Sequence, residues 1–130
     1  MLSDTAGTRW LTPTLGTGIV NNTGCTPCRY MQNEDGVCWL QGCVTGAKVG
    51  SVVHTVASTY QPPYPVTFTG WGVQTTMLGS FTLHGLSPAP PTSNAYNPIL
   101  LVLSTAGAVS VESGTFNGWL DMGTCAYTLA

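Results

Sequence analysis

Apolar residues recur at every second position through much of this chain. In Val37-Cys38-Trp39-Leu40-Gln41-Gly42-Cys43-Val44, residues Cys38, Leu40, Gly42 and Val44 share one face, the pattern of a half-buried strand. The same reading predicts short strands over 52–56, 66–68, 80–83, 99–103, 108–112, 119–121 and 125–129. Turn residues separate them: Asn33-Glu34-Asp35-Gly36, Thr105-Ala106-Gly107 and the run from Ser113 to Gly118. Each offers Gly for a positive φ, or Asn and Asp for local side-chain to backbone bonds. No segment carries an apolar stripe at helical spacing. Many short strands at close spacing predict an all-β chain, an antiparallel β-sandwich of jelly-roll-like form.

Two stretches break the alternation. Tyr60-Gln61-Pro62-Pro63-Tyr64-Pro65 holds three prolines, which remove backbone donors and forbid a central strand, so a loop or sheet corner is expected there. Ser87-Pro88-Ala89-Pro90-Pro91-Thr92-Ser93-Asn94 reads as an exposed, extended loop, a usual place for binding residues on a rigid scaffold.

Composition then narrows the function. The chain of 130 residues has only three basic and five acidic side chains, with 43% of residues apolar. A quarter of a globular domain is ordinarily charged, so this surface must be wetted by neutral hydroxyls and amides, as suits a component of an assembly. The three strong cations, Arg9, Arg29 and Lys48, cannot supply the phosphate contacts that nucleic-acid affinity needs, and no nucleic-acid partner is expected. The longest apolar run, Ile99 to Leu103, is far short of the roughly 20 residues of a membrane-spanning helix, and no membrane partner is expected. The start, Met1-Leu2-Ser3-Asp4, has neither the basic flank nor the apolar stretch of a secretory signal, so synthesis in a cytoplasm is expected. The length fits one domain, divided here into an arm, residues 1–12, and a β-domain, residues 13–130.

Several motifs resemble a known family. Thr14-Leu15-Gly16-Thr17-Gly18-Ile19-Val20-Asn21, Pro27-Cys28-Arg29-Tyr30 and Gly36-Val37-Cys38-Trp39-Leu40-Gln41-Gly42 resemble the opening of a β-domain found at the C-terminal tips of bacteriophage tail proteins. There the pattern runs T-L-x-N-G-[WF]-V-N, P-[AV]-x-Y and G-x-V-x-L-x-G. Val56-Ala57-Ser58-Thr59-Tyr60-Gln61-Pro62-Pro63 stands where such domains read L-P-x-G-Y-R-P-P. Gly107-Ala108-Val109-Ser110-Val111 and Trp119-Leu120-Asp121-Met122-Gly123 resemble their closing G-x-V-x-V and W-[VL]-x-L-D-G. The chain departs from the pattern at Gln61 and Ile19, where Arg and an aromatic are usual, and its segment from Gly70 to Asn97 is longer. The resemblance implies a homotrimeric β-sandwich on a virion surface, assembled in the bacterial host cytoplasm.

Candidate chemistry is sparse. Cys25-x-x-Cys28 and Cys38-x-x-x-x-Cys43 have the thiol spacing of a zinc site. If 33–36 is a four-residue hairpin loop, however, Cys28 falls opposite Gln41, and Cys38 and Cys43 point to opposite faces. A Cys28–Cys43 disulfide is compatible with that register, but a cytoplasm keeps thiols reduced. Cys38 and Cys125 are therefore read as small core residues, with no metal or other cofactor, and the fold is expected to survive chelator and reductant alike. His54 and His84 stand on strands without an evident carboxylate partner. The acids Asp4, Glu34, Asp35, Glu112 and Asp121 form no pair suited to hydrolysis, and Asp121 is assigned to backbone bonding near Gly123. A non-enzymatic protein with no catalytic residues is expected.

The large aromatics carry the binding expectations. Trp39 should point away from the core, near Tyr30 across its hairpin, as a subunit or ligand contact. Trp71, between Gly70 and Gly72, reads as a residue of a flexible loop, and with Tyr64 and Tyr96 it is a candidate stacking residue for a ligand. Tail-tip domains hang from a stalk, whereas this sequence opens about a dozen residues before its first motif. The expected function is therefore a capsid decoration, or cement, protein. It would dock as a trimer on the major capsid or another virion protein through Leu2, Trp10 and Leu11. The alternative is a tail-fibre or baseplate receptor-binding knob that recognises a host surface glycan or protein.

Overall fold

The computed structural model describes residues 10–77 and 92–129. Its strands are β1 (Thr14–Leu15), β2 (Val20–Asn21), β3 (Arg29–Gln32), β4 (Val37–Thr45), β5 (Val52–Thr55), β6 (Val66–Met77), β7 (Thr92–Leu103), β8 (Ala108–Ser113) and β9 (Leu120–Thr128). A 3₁₀ turn at Ser58–Tyr60 is the one helical element among the described residues. All neighbouring pairs are antiparallel. The strands share one sheet in the order β1-β5-β8-β7-β6-β9-β4-β2, with β3 also on β4, and this sheet curls nearly closed into a barrel. The all-β, antiparallel expectation holds.

Alternation builds the interior. Ile99, Leu101 and Leu103 of β7, Val109 and Val111 of β8, and Leu120, Met122, Cys125 and Tyr127 of β9 are buried together with Cys38, Leu40 and Val44 of β4. Removing such side chains from water is the main force holding the barrel together. At the Pro-rich corner the tyrosines are tied to backbone. The Tyr30 and Tyr60 rings meet edge to face at 5.1 Å, Ala57 N–H donates to the Tyr30 hydroxyl at 3.2 Å, and the Tyr127 hydroxyl donates to the Tyr60 carbonyl at 2.7 Å.

Several expectations are corrected. β6 does not stop at Phe68; it runs through Gly70 and Gly72 to Met77, so Trp71 is a mid-strand residue and not part of a flexible loop. The two glycines are required by close approach. A Cβ on Gly70 would lie 2.5 Å from the Asp121 carbonyl oxygen, and one on Gly72 would lie 2.6 Å from Phe116 Cβ. Because the atom facing Gly70 is backbone, Gly70→Ala should cost about 2 kcal/mol, read from denaturant unfolding midpoints; an unchanged midpoint would refute this packing.

The segments 119–121 and 125–129 join into the single strand β9, whose Gly123 has φ 64°. Thr92, Ser93 and Asn94 belong to β7 rather than to a loop. The remainder of the Pro-rich stretch, the strand expected over 80–83, and His84 lie outside the described residues. The β3–β4 register is also one residue away from that expected. Gln32 pairs with Cys38 and Arg29 with Gln41, which places Cys28 one step further on, opposite Gly42. Tyr30 therefore pairs with Leu40 and is buried, while Trp39 stands across from Met31 and Ala126.

Candidate functional site

The barrel presents its largest aromatics on the outer face of β7, β6 and β9. Strand parity explains their placement. Gly70 pairs with Ile99 and Trp71 with Pro98; since Ile99 is buried, Trp71 and Pro98 point outward. Val73 pairs with Tyr96, two residues on, so Tyr96 shares the outward face. On the other side of β6, Trp71 pairs with Asp121, and Trp119 lies one alternation before Asp121. Trp71 is 50% exposed and Tyr96 58% exposed. The Trp119 ring lies 5.8 Å from that of Tyr96, tilted by 40°. Leu100, 39% exposed, extends the apolar surface along β7.

A network of neutral hydrogen bonds fixes this face. The loop between β8 and β9 is pinned to β6: Val73 N–H donates to the Trp119 carbonyl at 3.0 Å, and the N–H groups of Asn117 and Gly118 donate to the Val73 carbonyl at 3.1 and 3.0 Å. Asn117 closes a two-bond ring with Thr75, accepting from its N–H at 2.8 Å and donating to its carbonyl at 2.9 Å. Asn97 donates to the Thr115 carbonyl at 2.8 Å, and the Thr75 hydroxyl donates to Asn94 Oδ1 at 2.9 Å. Trp119 is thereby held by backbone on both sides. The Asp121 carboxylate accepts from the Gly123 N–H at 2.8 Å, the backbone bonding expected of it, within β9 rather than in a turn. The outcome is a fixed, amphipathic aromatic surface of a kind common in binding sites.

The other candidate residues lie elsewhere. Tyr64, 76% exposed, rims an open cavity of about 250 Å³ with Pro62, Pro63, Val66, Ala126, Tyr127 and Thr128. It sits seven residues before Trp71, about 20 Å along an extended chain, so the stacking residues fall into two separate places. Trp39 is half-buried on β4. Leu2 lies outside the described residues. Trp10 and Leu11 are engaged by their own barrel. The Arg29 guanidinium lies 4.2 Å over the Trp10 ring while bonding Gln41 Oε1 at 3.1 and 3.0 Å. Leu11 exchanges backbone bonds with Tyr30 at 2.7 and 2.9 Å and packs on the core. The residue that sequence reasoning missed is Trp119. The available signal was its period-two relation to Asp121, two positions on in a strand whose Leu120 faces inward.

The sulfur chemistry also differs from expectation. Cys25 and Cys43 form a disulfide with Cα atoms 5.9 Å apart, in place of the Cys28–Cys43 pairing compatible with the expected register. As a disulfide these two sulfurs are not thiolate ligands. Cys28, Cys38 and Cys125 are free and buried, and burial pushes the thiols of Cys28 and Cys125 up to about 11. Cys38 and Cys125 thus have the core placement expected of them. His54 is fully buried, with neither ring nitrogen hydrogen-bonded. Among the described residues no three His, Cys, Asp or Glu side chains converge as metal ligands. Compared with known protein families, curated proteins and solved structures, the chain matches none.

Proposed function

We propose that this chain is a non-enzymatic binding protein of a bacteriophage virion surface, and that it makes contact through the Trp71, Tyr96 and Trp119 face. The observation that carries the reading is that face itself: the exposed rings of Trp71 and Tyr96 and the half-buried ring of Trp119 on a hydrogen-bonded strand scaffold, with the Asp121 carboxylate beside them engaged by the Gly123 N–H. Such rings stack on the apolar faces of neutral, hydroxyl-rich ligands while amides and hydroxyls at the rim exchange hydrogen bonds. This favours a receptor-binding knob that recognises a host surface glycan.

Capsid decoration is the second reading. It would have Trp10 and Leu11 leave Arg29 and Tyr30 in order to reach a particle, which weighs against the arm as the clamp. In its favour are the exposed apolar side chains of Val20, Val49, Val52 and Leu100, suited to contacts between subunits. A homotrimer and sandwich-like packing belong to both readings.

Adsorption of the purified protein to host cells and to naked capsids tests the choice. Trp71→Ala and Tyr96→Ala should each weaken cell binding by about tenfold or more, an ordinary loss for a buried aromatic anchor. Tyr64→Ala, at the distant cavity, should leave it unchanged. Binding to capsids but not to cells, with both variants behaving as the parent, would overturn the knob reading in favour of decoration.

A further inference from the structure

The loop between β8 and β9, which carries Trp119 to the aromatic face, contains a reactive dipeptide. Of the six asparagines, Asn117 is the only one followed by glycine. At such a step no side chain on the following residue keeps its backbone nitrogen from the asparagine amide carbon, and the two close readily to a cyclic imide. The other asparagines lack this freedom. Asn22, Thr23, Glu34 and Ala95 follow four of them with side chains, and Pro98 follows Asn97 with no N–H to give up.

In the closed loop both reacting groups are engaged. The nucleophile is the Gly118 nitrogen, whose N–H donates to the Val73 carbonyl at 3.0 Å, alongside the Asn117 N–H at 3.1 Å. The electrophile is the Asn117 side-chain amide, held on Thr75 at both ends. Its oxygen accepts from the Thr75 N–H at 2.8 Å and its nitrogen donates to the Thr75 carbonyl at 2.9 Å. A further tie, Asn97 Nδ2 to the Thr115 carbonyl at 2.8 Å, fastens the loop without touching either group. Asn117 itself is exposed, so water reaches it as soon as these bonds open locally.

We propose that Asn117 and Gly118 form a fold-gated deamidation site, silent while the loop is bonded to β6 and reactive when it opens, whose product frees Trp119 from its support. The Gly118 nitrogen loses its proton to solvent and attacks Asn117 Cγ. The new N–C bond closes a succinimide as the Cγ–Nδ2 bond breaks, and Nδ2 leaves as ammonia with a proton from solvent. Water then opens the imide at either carbonyl, giving aspartate or isoaspartate. In sum an amide and a water become a carboxylic acid and ammonia, with no change of oxidation state. Either product undoes the clamp. A carboxylate has no proton to donate to the Thr75 carbonyl, so that bond becomes a contact between two acceptors. Isoaspartate also adds a methylene to the main chain just before Gly118, which moves its N–H off the Val73 carbonyl. Both products place a new negative charge two residues from Trp119. This chemistry belongs to the loop whatever the aromatic face binds.

The test incubates the protein at pH 8 and 37 °C, folded and in guanidinium chloride, and follows ammonia release and peptide maps over time. Asp35 and Gly36 can close the same imide, but that route loses water rather than ammonia and leaves the mass unchanged. Expected are conversion at Asn117 in denaturant and conversion at least about tenfold slower in the folded protein. Asn97→Ala, folded, should speed it several-fold by loosening the loop. Asn117→Asp, which stands for the aspartate product, should lower Tm by about 4 °C. Equal rates in folded and unfolded protein, an Asn97→Ala rate no faster than the parent's, or other asparagines converting as fast in denaturant would each overturn the gate. An Asn117→Asp Tm equal to the parent's would overturn the release of the loop.

Discussion

Lowering the pH from 6.5 to 4 should cost this protein about 3 kcal/mol of folding stability through His54 alone. The ring is fully buried on β5, between the cross-strand neighbours Leu15 and Val109, with no partner on either nitrogen. Burial disfavours its charged form and pushes its pKa from 6.5 down to about 4. The lowered value sets the sign. Between pH 6.5 and 4 the unfolded chain binds a proton at this position and the folded chain does not, so acidification favours unfolding; below about 4 both forms are protonated and the loss levels off. Denaturant midpoints at pH 7.5, 5 and 4 measure the slope. His54→Leu should remove this part of the slope and raise stability at pH 7.5 by about 1 kcal/mol or more, because no orphaned nitrogen then remains in the core. A variant with the parent's pH dependence would show that the loss comes from the carboxylates.

His54 also shows where alternation stops informing. Val53 and His54 are adjacent and both buried, because the β5–β8 register shifts between Val52 and His54 and resets facing there. A period-two reading assigns one of them to the surface. The same limit applies at Cys43. Gln41 pairs with Thr124 and Cys43 with Asp121, so β9 carries one extra residue beside Gly123. Such a bulge resets facing locally: Gly42, Cys43 and Val44 are all buried in sequence. The disulfide was illegible for that reason and because the β3–β4 connection is one residue longer than the turn residues suggest, with Asn33 Oδ1 accepting from the N–H groups of Asp35 and Val37 at 2.9 and 3.0 Å.

Where strands stay regular the sequence is more informative. The core positions of β7 and β8 follow alternation directly. Trp71 and Tyr96 are recognisable as binding candidates because large aromatics without charged neighbours are costly to leave exposed. Their convergence with Trp119 depends on β6 running through Gly70 and Gly72. Glycine ordinarily weakens a strand, and only the backbone of β9 and the Phe116 side chain, distant in sequence, explain why it is needed there.

Reduction should destabilise the barrel by about as much as acid does. The Cys25–Cys43 bond joins residues 18 apart in sequence and removes loop freedom from the unfolded chain, by about 3 kcal/mol in the chain-entropy account. For a chain of this size that corresponds to a fall in Tm of about 10 °C on adding reductant, contrary to the indifference expected from a set of reduced core thiols. The barrel should remain folded at 25 °C, since its interior and sheet pairing do not depend on the bond, and chelator should leave Tm unchanged. The Cys25→Ser/Cys43→Ser double variant should melt near the reduced parent and lose its response to reductant. Replacing both partners matters, because a single substitution leaves an unpaired thiol in place of the disulfide. Equal Tm values for the oxidised and reduced parent would mean that the loop after β2 is held by its bonds to Cys43 and Asn21, with no measurable contribution from the disulfide.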